Sequence, residues 1–98
     1  VQPDVTPNYA YFPVLFDVDN GCKASRDDVK AALETENIFA RRYFYPLTSD
    51  FRCYRSMPGA SGTPVGKYIS NNILALPLYA DLSCEDVRRI CTVINNII

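Results

Sequence analysis

Thr63-Pro64-Val65-Gly66-Lys67-Tyr68-Ile69-Ser70-Asn71-Asn72-Ile73-Leu74-Ala75-Leu76-Pro77-Leu78 is the stretch whose reading decides the fold. Its first half has helical spacing. Thr63 serves as N-cap, Pro64 takes the first helical position, and Val65, Tyr68, Ile69 and Asn72 share one face. Its second half, Ile73 to Leu78, is a short apolar run that reads as a buried strand ended by its proline. A helix and a strand therefore meet with no room for a linker.

Downstream, Ser83 caps a last helix, with Asp86 in the capping-box position. Val87, Ile90, Cys91, Ile94, Ile97 and Ile98 form its apolar stripe. Arg88 and Arg89 face away, and Glu85 and Arg89 form an i, i+4 pair. Upstream, Met57 to Gly62 is a loop by composition, and Phe51 to Arg55 reads as a possible short strand. Ile38 to Tyr45 reads as an aromatic-rich strand ended by Pro46. Before it, Ser25 caps a helix from Arg26 to Glu36, with Asp28 at the box position. Val29, Ala32 and Leu33 make its buried stripe, and Asn37 stops it.

The first strand runs from Tyr9 to Val18 and closes on the turn Asp19-Asn20-Gly21. Phe12, Val14 and Phe16 fall on one face, Tyr11, Pro13 and Leu15 on the other. Both faces are apolar, so both are expected to be covered. Pro13 cannot donate to a ladder and points to an edge or a bulge. The order is β-α-β-(β)-α-β-α. Strands and helices mix without regular alternation, which gives an α+β class: a small, mostly antiparallel sheet with helices on one face.

Residues 1–98 make one domain on length. A domain of this size buries only about 60–65% of its unfolded surface, so a missing neighbour would be felt. The net charge of −1 gives no basic excess, which argues against nucleic acid. No apolar run approaches the ~20 residues of a membrane span. Val1-Gln2-Pro3-Asp4 has neither the basic nor the apolar segment of a leader, and no initiator Met precedes it, as in an excised piece. Cys22, Cys53, Cys84 and Cys91 form no CxxC pair, and there is no His, so a zinc site lacks ligands. Cys84 and Cys91 are ~10 Å apart along one helix, too far for a disulfide. They read as free buried thiols in a reducing, cytoplasmic setting.

Chemistry is sparse. No phosphate loop, dinucleotide fingerprint or nucleophile elbow occurs. Without His, no Ser-His or Cys-His dyad can form. The carboxylate pairs Asp17/Asp19, Asp27/Asp28, Glu34/Glu36 and Glu85/Asp86 sit mostly at turns and first helical turns, where the helix dipole accounts for them. Lys23, Lys30 and Lys67 read as surface residues rather than as a Schiff-base lysine, which needs burial or a cationic neighbour. Arg41-Arg42-Tyr43-Phe44-Tyr45-Pro46-Leu47 is different. It gathers two guanidiniums and three aromatics at a strand end. Arg offers forked donors to phosphate or carboxylate, and Tyr offers a flat face and a hydroxyl. Alternation puts Arg42 with Phe44 and Arg41 with Tyr43 and Tyr45. Two readings stand: a ligand-contact edge, or a strand with core aromatics and solvated arginines.

Three blocks carry a resemblance. They are Ser25 to Val29 leading into Leu33-Glu34-Thr35-Glu36-Asn37-Ile38-Phe39-Ala40-Arg41-Arg42-Tyr43-Phe44-Tyr45-Pro46-Leu47, then Pro64 to Leu78, then Leu82-Ser83-Cys84-Glu85-Asp86-Val87. In this order the chain resembles the C-terminal region of the DegT-type (DegT/StrS) pyridoxal-phosphate (PLP) sugar aminotransferases. The resemblance covers nearly all of this chain and about the last quarter of a typical member. It implies the small domain of the aspartate-aminotransferase type (fold type I). It further implies an absent N-terminal large domain that carries the Schiff-base lysine, the Asp under the pyridine nitrogen and most phosphate ligands. On that basis pyridoxal 5'-phosphate is the cofactor of the parent enzyme and not of this piece, which is inactive alone. The implied substrate is a nucleotide-linked keto sugar, the wording around Tyr43 being most similar to enzymes acting on dTDP-linked keto-6-deoxyhexoses. The parent is implied to be a homodimer. Substrate or amino-donor contact falls to Arg41, Arg42, Tyr43 and Tyr45. Many members carry a His near this turn; here it reads Tyr43-Phe44-Tyr45.

Two other classes are open to such a chain. One is a free-standing α+β ligand-binding or regulatory module, ferredoxin-like and dimerising through its sheet. The other is an interaction domain without a small-molecule ligand. A detached small domain would expose an apolar patch, with the Tyr9-Tyr11 strand and the stripe ending at Ile97-Ile98 as its candidates.

Overall fold

Ser25, Pro64 and Ser83 each stand at the start of a helix in the computed structural model, which describes residues 3–98. The elements follow as β1 (Phe12–Leu15), α1 (Arg26–Thr35), β2 (Arg41–Arg42), α2 (Pro64–Asn72), β3 (Ile73–Leu76) and α3 (Cys84–Ile97), with 3-10 turns at Val18–Asn20 and Thr48–Asp50. The leader reading rests partly on Val1 and Gln2, which lie outside the described residues.

The helix caps form where the backbone allows them. At Ser25 and Ser83, ψ is 161° and 151°, which carries each hydroxyl over the third helical amide. Asp28 N donates to Ser25 Oγ at 3.2 Å and Asp86 N to Ser83 Oγ at 3.0 Å. Asp28 completes a full capping box by accepting from Ser25 N at 3.0 Å. Thr63 has ψ 61° and makes no side-chain cap bond, so Pro64 alone opens α2.

Strand β3 is central, in the order β1-β3-β2, and pairs antiparallel with both neighbours. Val14 and Arg42 flank Leu74 in one row, and Pro13 and Arg41 flank Ala75 in the next. Pro13 thus sits on an edge strand, where its missing N–H costs least. Successive rows face opposite sides of the sheet. On the Leu74 side, α1 and α3 pack against each other and α1 against β3. Phe16, Ala24, Val29, Leu33, Ile38, Ala40, Leu74 and Ile90 form the core there, with Val14, Leu76, Val93, Ile94 and Ile97 half-buried around it.

Several expectations are corrected. The first strand is shorter than Tyr9–Val18, because Tyr9 turns left-handed (φ 53°) and Asp17 caps the following 3-10 turn. Its two faces are not both covered: Tyr11 and Leu15 stay exposed. The strand expected over Ile38–Tyr45 shrinks to Arg41–Arg42 between left-handed residues Asn37 (φ 57°) and Phe44 (φ 46°). Phe51 to Arg55 is no strand; it winds through turns such as Tyr54 N to Phe51 O at 2.8 Å, with no partner strand beside it. The apolar stripe of α2 is open, with Val65 and Ile69 exposed and only Ser70 buried. Cys53, Cys84 and Cys91 are exposed rather than buried, Cys53 among the turns before α2 and the other two on an uncovered flank of α3; Cys22 is half-buried. Arg89 does not wait for Glu85 but reaches across to Glu36, the C-cap of α1, with an ion pair of 3.6 Å. A cation there answers the negative end of the helix dipole.

Candidate functional site: a guanidinium and aromatic corner on the open sheet face

The site begins at the row that α1 and α3 do not cover. Tyr11, Phe39, Arg41, Tyr43 and Phe44 line a cavity of about 450 Å³ there, floored by Ala75 of β3. Tyr43 meets Tyr11 edge to face at 5.1 Å and lies 4.3 Å from Phe44. The volume falls within the range of small-molecule sites. Arg42 also borders the cavity, while its guanidinium is held from the helix side by Asp27, at 3.0 Å from Nη2 and 3.1 Å from Nε.

The expected alternation breaks at Phe44. Its left-handed backbone turns Phe44 to the cavity with Tyr43 and sends Tyr45 the other way, under Arg42. The Tyr45 ring lies 5.2 Å below the Arg42 guanidinium and 4.6 Å from that of Arg26. Of the four expected contact residues, Arg41, Arg42 and Tyr43 are brought to one cavity. Tyr45 is placed behind it, as support for Arg42. Such a stack is worth roughly 0.5–1 kcal/mol where it is exposed.

Sequence reasoning passed over Arg26, Asp27 and Ser70. Arg26 is 3% exposed. Its Nε donates to Asp27 Oδ1 at 3.0 Å and its Nη1 to the Ser70 carbonyl at 2.7 Å. Ser70 Oγ in turn donates to the Phe44 carbonyl at 2.8 Å. The Arg26 hydrogen bond, followed by its charge and by Arg42, holds the Asp27 carboxyl below the usual carboxylate range despite some desolvation. The available signal was a cation at the first helical position, where the dipole disfavours it.

A second polar link lies apart from this corner. The Tyr68 hydroxyl donates to Asp17, which also accepts from Asn20 Nδ2 at 2.7 Å. The shared proton pushes the Tyr68 hydroxyl up to about 12, with burial and the charges of Asp17 and Asp19 adding to it. It ties α2 to the turn after β1.

The lysines do not fit a pyridoxal phosphate. Lys23 is exposed, Lys30 is paired with Glu34, and Lys67 lies 3.4 Å from Asp50 on an open surface. None is buried, the condition that frees an amine for imine formation. The cavity's donors are guanidiniums and hydroxyls, suited to holding an anion or a sugar and not to covalent chemistry. Among the described residues no helix is long and apolar enough to cross a membrane.

Comparison with known proteins gives these features a context. The chain is 41% identical over 85 residues to a dTDP-4-amino-4,6-dideoxy-D-glucose transaminase of Escherichia coli, covering 85% of this chain and 22% of that protein. It is 37% identical over 90 residues to a protein of the same name from Shigella dysenteriae, covering 92% of this chain and 24% of that one. It therefore spans about a quarter of the length of these relatives. In fold it is similar to a crystal structure described as a PLP-dependent aminotransferase from Bacillus cereus, with a TM-score of 0.63 and 22% identity over 87% of this chain and 22% of that one. The model of the DegT/DnrJ/EryC1/StrS aminotransferase family matches residues 1–95, and the chain belongs to that family.

Proposed function

We propose that this chain is the C-terminal small domain of a PLP-dependent aminotransferase that aminates a nucleotide-linked keto sugar, a dTDP-linked keto-6-deoxyhexose. The observation that carries this reading is the corner on the uncovered sheet face. It sets Arg41 beside Tyr11, Phe39 and Tyr43 around a cavity of suitable size, with Arg42 at its border. The names of the relatives at 41% and 37% identity support the substrate class.

In this reading the chain's own residues bind and orient. Arg41 offers forked donors to the diphosphate, Arg42 adds its charge at the border, the tyrosine rings give flat contact, and the apolar floor excludes water. The cofactor and its lysine belong to an N-terminal large domain, which lies against the open face. The parent works as a homodimer, with no nucleic acid or membrane as partner. The 98-residue chain alone is inactive.

The test is a chimera. This chain replaces the matched quarter of the Escherichia coli relative, and amino transfer to the dTDP keto sugar is measured. The chimera turns over and binds PLP, while the chain alone does neither. Arg41→Ala raises KM for the sugar nucleotide roughly tenfold, as befits a lost charge-assisted hydrogen bond. Unaided transfer by the isolated chain, or a folded, PLP-loaded chimera without turnover, would overturn the assignment.

A further inference from the structure

Arg26 stands where helix electrostatics least want it. It is the first residue of α1, a cation at the positive end of the dipole, and it is almost wholly buried. A buried charge persists only when its neighbours pay it back in contacts. Arg26 has them on three segments. It grips Asp27 on its own helix through Nε at 3.0 Å and Nη2 at 3.4 Å. It holds the Ser70 carbonyl of α2 at 2.7 Å. It faces the Tyr45 ring of the turn after β2 at 4.6 Å.

Each contact leads toward the cavity. Asp27, fixed by Arg26, is the acceptor that orients Arg42. Ser70 bonds the Phe44 carbonyl, at the left-handed residue where the chain leaves β2. Tyr45 lies beside both guanidiniums. The capping box of Ser25 and Asp28 closes α1 without any of these links. We propose that Arg26 is a positioning residue: through Asp27, Ser70 and Tyr45 it sets the direction of the Arg42 guanidinium and the course of the Phe44 turn at the cavity, without itself touching ligand. The value of this to catalysis rests on the function proposed above; the positioning itself does not.

The experiment has two arms. In the 98-residue chain, nuclear magnetic resonance follows the Arg42 Nε–H, the Tyr45 ring and the Asp27 carboxyl. With Arg26→Gln, the Arg42 Nε–H signal is lost to exchange, the Tyr45 ring signals move, and the Asp27 titration shifts upward. The methyl signals of Val29, Leu33 and Leu74 stay in place. Arg26→Lys keeps the charge but not the fork, so it restores part of the Asp27 titration and neither of the other two signals. If Arg26→Gln fails to fold, Asp27→Asn takes its place: it leaves the bond from Arg26 to Ser70 and breaks the charged link by which Arg26 reaches Arg42. Arg42 and Tyr45 signals unchanged in whichever variant folds would overturn the proposal. In the chimera, Arg26→Lys raises KM for the sugar nucleotide several-fold with kcat little changed. A chimera without any turnover counts against the proposed function and leaves the resonance arm to decide the positioning.

Discussion

The two sides of the sheet have the same kind of sequence and opposite fates. On the helix side, Val29, Leu33 and Leu74 have no exposed surface at all. On the other side, Tyr11, Leu15 and Phe39 are at least two-fifths exposed. One side holds a closed core, with Phe12 and Val87 open only at its rim, and the other is left without cover by this chain. Apolar patterning states that a face is to be buried. It does not state whether this chain supplies the cover.

The sharpest way to break that comparison is to truncate a side chain on each side. Leu33→Ala or Leu74→Ala is expected to cost about 2–5 kcal/mol, because a filled site becomes a cavity. Leu15→Ala or Phe39→Ala should stay within about 0.5 kcal/mol in the isolated chain. Urea denaturation of the four variants reads the difference. Equal losses on both sides would mean that the open face is covered in solution, for instance by a second copy.

The covered side also depends on its cap. Ser25→Ala should cost about 1 kcal/mol by removing the hydroxyl that accepts from Asp28 N. The hydroxyl and backbone amide of Ser25 hold the Asp28 carboxyl below its ordinary 3.8. The folded value lies below the unfolded one, so this stabilisation is present above about pH 3.8 and fades as pH falls through the folded value. The urea midpoint of the wild type should drop on acidification, and that of Ser25→Ala should drop less.

The smallest effect belongs to the edge that carries α2. The Tyr68 hydroxyl is raised from 10.0 to about 12 by its bond to Asp17. A raised folded value gives stability that is complete below pH 10.0 and lost as pH climbs through about 12. Tyr68→Phe should remove this alkaline loss and lower the midpoint slightly at neutral pH, where the bond to Asp17 is intact in the wild type. A titration of tyrosine absorbance, in which one group ionises late in the wild type only, provides the check.

Much of this architecture is legible in the residues. Ser25 with Asp28, Pro64, Ser83 and Asn37 mark helix ends through local bonds and backbone preferences, and these hold. Arg41, Arg42 and Tyr43 stand out as unusual donors and rings at a strand end, and they do share a cavity. Tyr45 escapes the alternation rule because Phe44 turns left-handed, and the bond from Ser70, 26 residues away, that meets this turn leaves no mark in the local sequence. Arg26 escapes for the same reason, since its bond to Ser70 spans 44 positions.

Short-range forces are written into neighbouring residues, so the sequence alone determined the helix starts, the restriction of Pro13 to an edge or a bulge, and the chemical type of the corner. Long-range choices depend on which surfaces meet. Only the tertiary structure decided that α1 and α3 cover one face, that Tyr45 backs Arg42 instead of joining Tyr43, and that a buried arginine links three segments. Those outcomes follow from packing and from the satisfaction of buried polar groups, which couple residues far apart in the chain.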